Sequence, residues 1–156
     1  MQPLIREATT NDAVSAKLCV VSAFSKYIER IGKEPAPMLL DFSAQVEAAH
    51  VWVAELDTAV IGVLVQYETE FGFYIDTVAV LPNFQGTGVG RSLLLFAEQE
   101  AMRRNFGSLY LCTNSKMTEN QVLYPRAGYL EFDRQVVGGY DRVFYRKQLQ
   151  SGANGQ

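Results

Sequence analysis

The sequence predicts an α/β (α+β) chain: one mixed, mostly antiparallel central sheet flanked by helices, in the order β-α-α-β-β-β-α-β-α-β-β. Three observations carry this expectation. The β-rich runs Val51–Leu56, Val60–Tyr67 and Phe71–Val80 follow one another with short joints, the pattern of a meander. Later runs alternate with helical patterns, so the sheet is expected to be mixed. The glycine pair Gly138 and Gly139 marks a closing hairpin between Tyr129–Arg134 and Arg142–Leu149.

Taken in order, Pro3–Ala8 reads as a first strand, and Thr9, Thr10, Asn11 and Asp12 supply capping side chains for a helix. Val14, Leu18, Val21 and Ile28 recur at helical spacing and mark its apolar face. The segment from Gly32 to Pro37 breaks that helix, and Met38–His50 reads as a second, shorter one. The meander follows, its first two strands joined by Asp57, Thr58 and Ala59. A glycine-rich turn then opens a helix running to about Arg104, after which Ser108–Thr113 is a strand and Met117–Ala127 a helix. Residues 1–150 are expected to form one domain, and 151–156 a disordered tail.

Composition narrows the function classes. The chain has 156 residues, enough for one well-developed core, with 48% hydrophobic and 20% charged residues, ordinary for a globular protein. A net charge of −3 gives no electrostatic reason to expect a nucleic-acid partner. There is no signal-peptide pattern and no apolar run long enough to cross a bilayer, so a cytoplasmic protein without a membrane partner is expected. The two cysteines, Cys19 and Cys112, lie in apolar segments and read as buried thiols in a reducing compartment. With one histidine, His50, no metal site and no Ser/His/Asp triad are expected, and His50 reads as structural.

The most informative stretch joins the third meander strand to the next helix. Val78, Ala79 and Val80 end the strand, Pro82 turns the chain, and Gln85, Gly86, Thr87, Gly88, Val89, Gly90 and Arg91 lead into an amphipathic helix. The first amides of a helix have no intrahelical partner, and the helix dipole is positive there. Glycines let an anion approach those amides without a Cβ in the way, so a phosphate is the natural ligand. A glycine-rich turn that binds nothing is the alternative, yet glycine within a helix costs about 0.5–1 kcal/mol relative to alanine. A dinucleotide fingerprint counted from Gly86 would need its last glycine where Arg91 stands, and the next strand offers no terminal acidic residue. No Gly-Lys-Ser/Thr sequence exists for a P-loop.

What fits is Gln85-x-x-Gly88-x-Gly90 directly after a strand ending Val-x-Val. It resembles the pyrophosphate-binding motif of the GCN5-related N-acetyltransferases, the GNAT superfamily, which bind acetyl-CoA. The expected element order is similar to that fold from end to end. A second signature lies downstream: Asn120, then Tyr124 four residues on, ahead of Gly128 and Tyr129. At that spacing Asn120 and Tyr124 share one helix face.

The resemblance implies a set of roles. Residues Gln85 to Arg91 hold the pyrophosphate through backbone amides, with Arg91 adding charge; a cation in a helix's first turn opposes the dipole, so an anionic neighbour would explain it. Val78, Ala79 and Val80 lie where the family's strand pairs with the pantetheine arm, and Val78 is the position for the oxyanion contact. Read alone, valines on a strand are core. Asn120 hydrogen-bonds the pantetheine amides, and the Tyr124 hydroxyl returns a proton to the leaving thiolate. Pro125 departs from a regular helix and is expected to kink or end it near Tyr124. Asp76, on the Val78 face by strand alternation, stands where the family often has a glutamate base; one methylene shorter, it favours a water relay. Its alternative role is to bond a loop or bind the acceptor's charge. Residues from about Tyr27 to Asp41 and from Arg134 to Arg142 are expected to wall the acceptor site, although Tyr27, Glu29, Glu34, Asp41 and Tyr140 read individually as ordinary surface side chains.

The function this implies is transfer of an acetyl group from acetyl-CoA, without a metal, to a primary amine by direct attack in a ternary complex. A covalent acetyl-enzyme is not expected, because neither cysteine has an evident activating partner. The alternatives are a non-catalytic acetyl-CoA sensor and a different acyl donor or acceptor. The acceptor, a small molecule or a protein amine, is not readable from sequence, and a homodimer is common in folds of this type.

Overall fold

A computed structural model describes residues 2–150; the expected tail, 151–156, lies outside the described residues. The strands are β1 (Leu4–Glu7), β2 (Val51–Leu56), β3 (Ala59–Thr69), β4 (Gly72–Val80), β5 (Ser108–Asn114), β6 (Leu130–Val137) and β7 (Tyr140–Gln148). The helices are α1 (Ala13–Phe24), α2 (Ile28–Ile31), α3 (Phe42–Glu47), α4 (Val89–Arg103) and α5 (Asn120–Arg126). The strands form one seven-stranded sheet in the order β1-β2-β3-β4-β5-β7-β6. β4 and β5 run parallel, whereas β1–β2, β2–β3, β5–β7 and β6–β7 are antiparallel. The sheet is therefore mixed and mostly antiparallel, as the sequence predicts.

The described residues divide into two compact units, 2–66 with Asp76–Ala97, and Tyr67–Ile75 with 98–150. In the first unit, β2 and β3 are nearly continuous apolar runs, because both of their faces are covered. They are joined by a two-residue turn in which Asp57 (φ 51°) and Thr58 (φ 68°) are both left-handed, the hairpin turn whose twist suits antiparallel strands. Arg6 on β1 ties three segments together. Its guanidinium forks onto Asp12 at 2.7 and 3.1 Å, and its Nε donates to Glu55 of β2 at 2.7 Å. Asp12 also accepts the Thr9 N–H and hydroxyl, closing the turn that enters α1.

α1 buries the opposite face from the one its large residues suggest. Val14 and Leu18 are 71% and 61% exposed, while Ala13, Ala16, Cys19, Val20, Ala23 and Phe24 are buried. Small residues on that face pack closely beside Val20 and Phe24, while Val14 and Leu18 point outward and Val21 is half-buried. The helix expected over Met38–His50 is also corrected. Pro35 leads into a 3-10 turn at Ala36–Leu39 that contains Pro37, and the α-helix begins only at Phe42, where Asp41 caps it by accepting the Ala44 N–H at 3.1 Å.

α4 is seated on β3 through an absence. A Cβ at Gly62 would lie 3.1 Å from Leu93, 3.2 Å from Val89 and 3.3 Å from Ala54. Glycine at this one position lets the first turns of α4 approach the sheet. In the same core, Trp52 packs on Phe96 with ring centroids 6.1 Å apart. Gln66 is 1% exposed and, among the described residues, neither of its side-chain polar atoms has a hydrogen-bond partner.

In the second unit β5 is flanked by the Phe73–Ile75 part of β4 and by β7, and β6 forms the edge. Phe73, Leu109, Leu111, Tyr129, Val143 and Tyr145 make the core. Every residue of β6 is exposed, and its ladder to β7 is interrupted by a bulge between Glu131 and Asp133.

The Arg6–Asp12 pair gives the fold a measurable acid dependence. The Arg6 hydrogen bonds hold the Asp12 carboxyl at about 2, below its ordinary 3.8. A carboxyl depressed on folding contributes stability above its unfolded pKa and loses it as pH falls through the folded value. Because the Arg6 side chain is partly solvated, Asp12→Asn should cost about 1 kcal/mol at neutral pH. Urea denaturation should show that difference shrinking from about pH 4 to about pH 2; a deficit independent of pH would contradict the assignment.

Candidate active site

β4 ends with alternating burial. Tyr74, Asp76 and Val78 lie on the less buried face, with Phe73, Ile75, Thr77 and Ala79 on the buried one. The same-face expectation for Asp76 and Val78 therefore holds. Val78 is half-buried rather than core, while Ala79 and Val80 are buried. Asp76 Oδ1 accepts the Thr77 hydroxyl at 2.8 Å. The β4–β5 ladder runs from Phe73↔Leu109 to Ile75↔Leu111, and β4 continues for five residues beyond its last pair.

The chain leaves β4 through Leu81, whose N–H donates to Ile61 of β3 at 2.9 Å, and makes a 3-10 turn at Pro82–Phe84. Gln85 latches the turn by donating its side-chain amide to the Val80 carbonyl at 3.0 Å. The Thr87 hydroxyl donates to the Phe84 carbonyl at 2.5 Å. Gly86 (φ 78°) and Gly88 (φ 96°) occupy the left-handed region that side-chain-bearing residues avoid, and a Cβ on either would meet nothing within 4 Å. Ser92 N–H to Gly88 C=O, at 3.0 Å, is the first bond of α4, so the amides of Val89, Gly90 and Arg91 precede the intrahelical ladder. Val89 is buried against the Gly62 site, whereas Gly86, Thr87, Gly88 and Arg91 are exposed and Gly90 is half-exposed. The geometry is that of an anion cradle: open amides, a helix dipole and no Cβ cover.

Lys26 was not singled out in the sequence. It lies in the 3-10 turn after α1, and its ammonium is 3.3 Å from Gln85 Oε1. A second cation thus stands beside the glycine turn. Fifty-nine positions separate the two residues, and no local pattern links them.

The second signature lies wholly in the other unit. α5 begins at Asn120, not Met117, because the chain after β5 first makes turns closed by Asn120 N–H to Met117 C=O and Gln121 N–H to Thr118 C=O. Asn120 Nδ2 donates to Thr113 Oγ1 at 3.0 Å and approaches Met117 Sδ at 3.7 Å, tying the helix start to the end of β5. One turn on, Tyr124 is 9% exposed, its ring 5.9 Å from both Tyr129 and Tyr145. Pro125 ends the helix almost at once without distorting its close. Ala127 is the cap and Gly128 (φ 97°) turns left-handed. Gly128 N–H bonds Pro125 C=O and Tyr129 N–H bonds Tyr124 C=O, both at 3.0 Å. Asp76 and the glycine turn belong to the first unit, and Asn120 and Tyr124 to the second.

The cysteines differ from each other. Cys19 is buried, and burial pushes its thiol up to about 12. Cys112 is not the buried thiol expected: it is half-exposed, with Tyr74 Oη at 3.2 Å and Arg142 Nη1 at 3.6 Å. His50 Nδ1 lies 2.9 Å from Gln45 Oε1, a bond between α3 and the start of β2 that fits a structural role. Among the described residues no cluster of three or more His, Cys, Asp or Glu is arranged to hold a metal, and no helix is long and apolar enough to cross a membrane.

Comparison with known proteins bears on the family and the fold. Residues 20–129, more than half of the chain, match the model of the Acetyltransferase (GNAT) family. No protein of curated function matches. Among solved structures, the chain is similar to a GCN5-related N-acetyltransferase from Rhodopseudomonas palustris, also described as a class-II aminotransferase. The identity is 18%, with 96% of this chain and 97% of that one covered, at a TM-score of 0.76. It is similar to Ard1 from Thermoplasma volcanium at 16% identity, with 96% and 99% covered and a TM-score of 0.77. PaiA N-acetyltransferase from Thermoplasma acidophilum, solved with coenzyme A, is 15% identical, with 95% and 99% covered and a TM-score of 0.74. The family model spans about 70% of the chain, from α1 to the end of the second signature: the chain belongs to the GNAT acetyltransferase family.

Proposed function

We propose that this chain transfers the acetyl group of acetyl-CoA to a primary amine by direct attack in a ternary complex, residues 1–150 forming the transferase domain. The single observation that carries the reading is the glycine turn at the start of α4, with Gly86 and Gly88 left-handed and the amides of Val89, Gly90 and Arg91 ahead of the helical ladder. Those amides, with Arg91 and Lys26 as nearby cations, suit a pyrophosphate. Bound there, acetyl-CoA supplies an acetyl group activated as a thioester.

The chain's own groups then take four roles. The backbone of Val78, Ala79 and Val80, beyond the β5 ladder, holds the pantetheine arm in the manner of an added strand, joined by Asn120. The Val78 N–H faces the carbonyl oxygen and stabilises the charge that develops on it. Asp76, half-buried and held by Thr77, takes the proton released by the attacking amine, through water. Tyr124 protonates the departing sulfur. Its burial between Tyr129 and Tyr145 supports that role, because a ring fixed on two sides presents its hydroxyl from a defined place. The hydroxyl is not consumed, since the proton Asp76 gathers restores the balance through solvent.

The acceptor belongs to the primary amines, small molecule or protein. A cytoplasmic setting is part of the same reading. So is a homodimer, for which the exposed β6 edge with Leu130, Phe132 and Val136 uncovered is the available surface.

Two variants test the assignment. Gly88→Ala forces a left-handed alanine, at about 1–2 kcal/mol of strain, and sets a methyl over the cradle. Calorimetry should show acetyl-CoA affinity falling about ten-fold or more; unchanged affinity would remove the turn from the binding site. Tyr124→Phe should lower kcat by roughly 10²-fold while leaving KM for acetyl-CoA unchanged. Thiol release with spermidine, lysine, an aminoglycoside and a short peptide as acceptors reads this directly, and an unaltered kcat would exclude Tyr124 as the acid.

A further inference from the structure

We propose that Tyr129 is a positioning residue for acetyl transfer: its phenol, clamped by the buried Glu98, fixes the ring and backbone of Tyr124. The inference rests on the reading of Tyr124 as the general acid and goes beyond it by naming what holds that acid in place.

The residues involved form one chain of contacts within the second unit. Tyr129 is completely buried, and its hydroxyl donates to Glu98 Oε2 at 3.0 Å. Glu98, on α4 and 7% exposed, accepts the Lys147 ammonium of β7 on its other oxygen, also at 3.0 Å. Lys147 reaches it by passing over Gly128, where a Cβ would lie 3.1 Å from the lysine Cε. Its ammonium is 5.6 Å from the centre of the Tyr129 ring. A carboxylate and a phenol are thus withdrawn from water, with a partly exposed ammonium as their counter-charge, at a place where phenylalanine would fill the same space. Desolvating such groups is costly, and their use is to hold one geometry rather than to add stability.

That geometry is delivered to Tyr124 twice. Through the backbone, the Tyr129 N–H caps the Tyr124 carbonyl at 3.0 Å. Through the rings, Tyr129 meets Tyr124 edge-on, with centroids 5.9 Å apart and planes at 68°. Tyr145 packs on Tyr124 at the same centroid distance. The anchoring matters at this point because Pro125 has no N–H for the Gln121 carbonyl, so the helix alone holds its last turn weakly. The two phenols also divide their work. Burial first, and then the Glu98 charge, push the ionisation of Tyr129 well above the usual tyrosine range, so it keeps its proton and acts only as an anchor.

A double-mutant cycle tests the proposal, with thiol release from acetyl-CoA as the assay. Whichever of spermidine, lysine, an aminoglycoside or a tetrapeptide gives turnover serves throughout as acceptor. Tyr129→Phe removes the anchor and keeps the ring. It should lower kcat about ten-fold with KM for acetyl-CoA unchanged, and should change kcat by less than about two-fold once Tyr124→Phe is already present. Equal losses in both backgrounds, a loss confined to KM, or an unchanged kcat would overturn the proposal. Failure of the acid reading itself appears separately, as an unaltered kcat in Tyr124→Phe alone. Should Tyr129→Phe not fold, Glu98→Gln takes its place. It keeps a neutral acceptor for the phenol, so it should give a smaller kcat loss that again vanishes without the Tyr124 hydroxyl.

Discussion

The candidate cofactor site depends first on how closely α4 can approach β3. Gly62 supplies the missing Cβ, Val89 and Leu93 fill the space, and the first turn of α4 is thereby fixed over the sheet. Leu81 N–H bonds the Ile61 carbonyl next to Gly62, and Gln85 holds the intervening turn to Val80. The open amides of α4 are therefore placed by packing from below and by two hydrogen bonds from the side. A turn with left-handed glycines would be mobile if its ends were free. Here both ends are built into the core, and only the side with the open amides is left uncovered.

In the second unit the same purpose is served by different physics. Asn120 is tied to Thr113, and the close of α5 is fixed by Gly128 and Tyr129. The buried pair Glu98 and Tyr129, with the half-buried Lys147 on the carboxylate's other oxygen, then forms a polar group that an apolar core would not need. Such groups contribute little net stability once desolvation is counted, yet they allow few alternative arrangements. The Pro125 interruption is thereby contained. The helix closes one residue later in a regular capping motif, and Tyr124 stays packed between two aromatic rings.

How far the sequence could be read depended on how local each signal was. The glycine turn was legible because its strand, its glycines and its helix lie within a few residues. The Asn120–Tyr124 pair was legible as a helical spacing. The buried face of α1 is not legible, because Val14 and Leu18 carry the periodicity while Ala13, Ala16 and Ala23, beside Val20 and Phe24, make the contacts, and hydrophobic spacing ranks large residues above small ones. The helix expected over Met38–His50 starts too early, because the chain after the proline break first makes a 3-10 turn through Leu39 and is capped only at Asp41. Lys26 beside Gln85, Gly62 beneath Val89, and Lys147 on Glu98 all join positions far apart in the chain. No window along the sequence contains both partners, so only the folded chain could bring them forward.

Amine-dependent release of free thiol from acetyl-CoA is the decisive measurement for the proposed transfer. A transferase should bind acetyl-CoA tightly by calorimetry and release thiol only with both the protein and one class of amine, with acetylated amine formed mole for mole. Acetyl-CoA binding without thiol release on any small amine, peptide or protein lysine would rule out the transfer and leave a binding module in place of an enzyme.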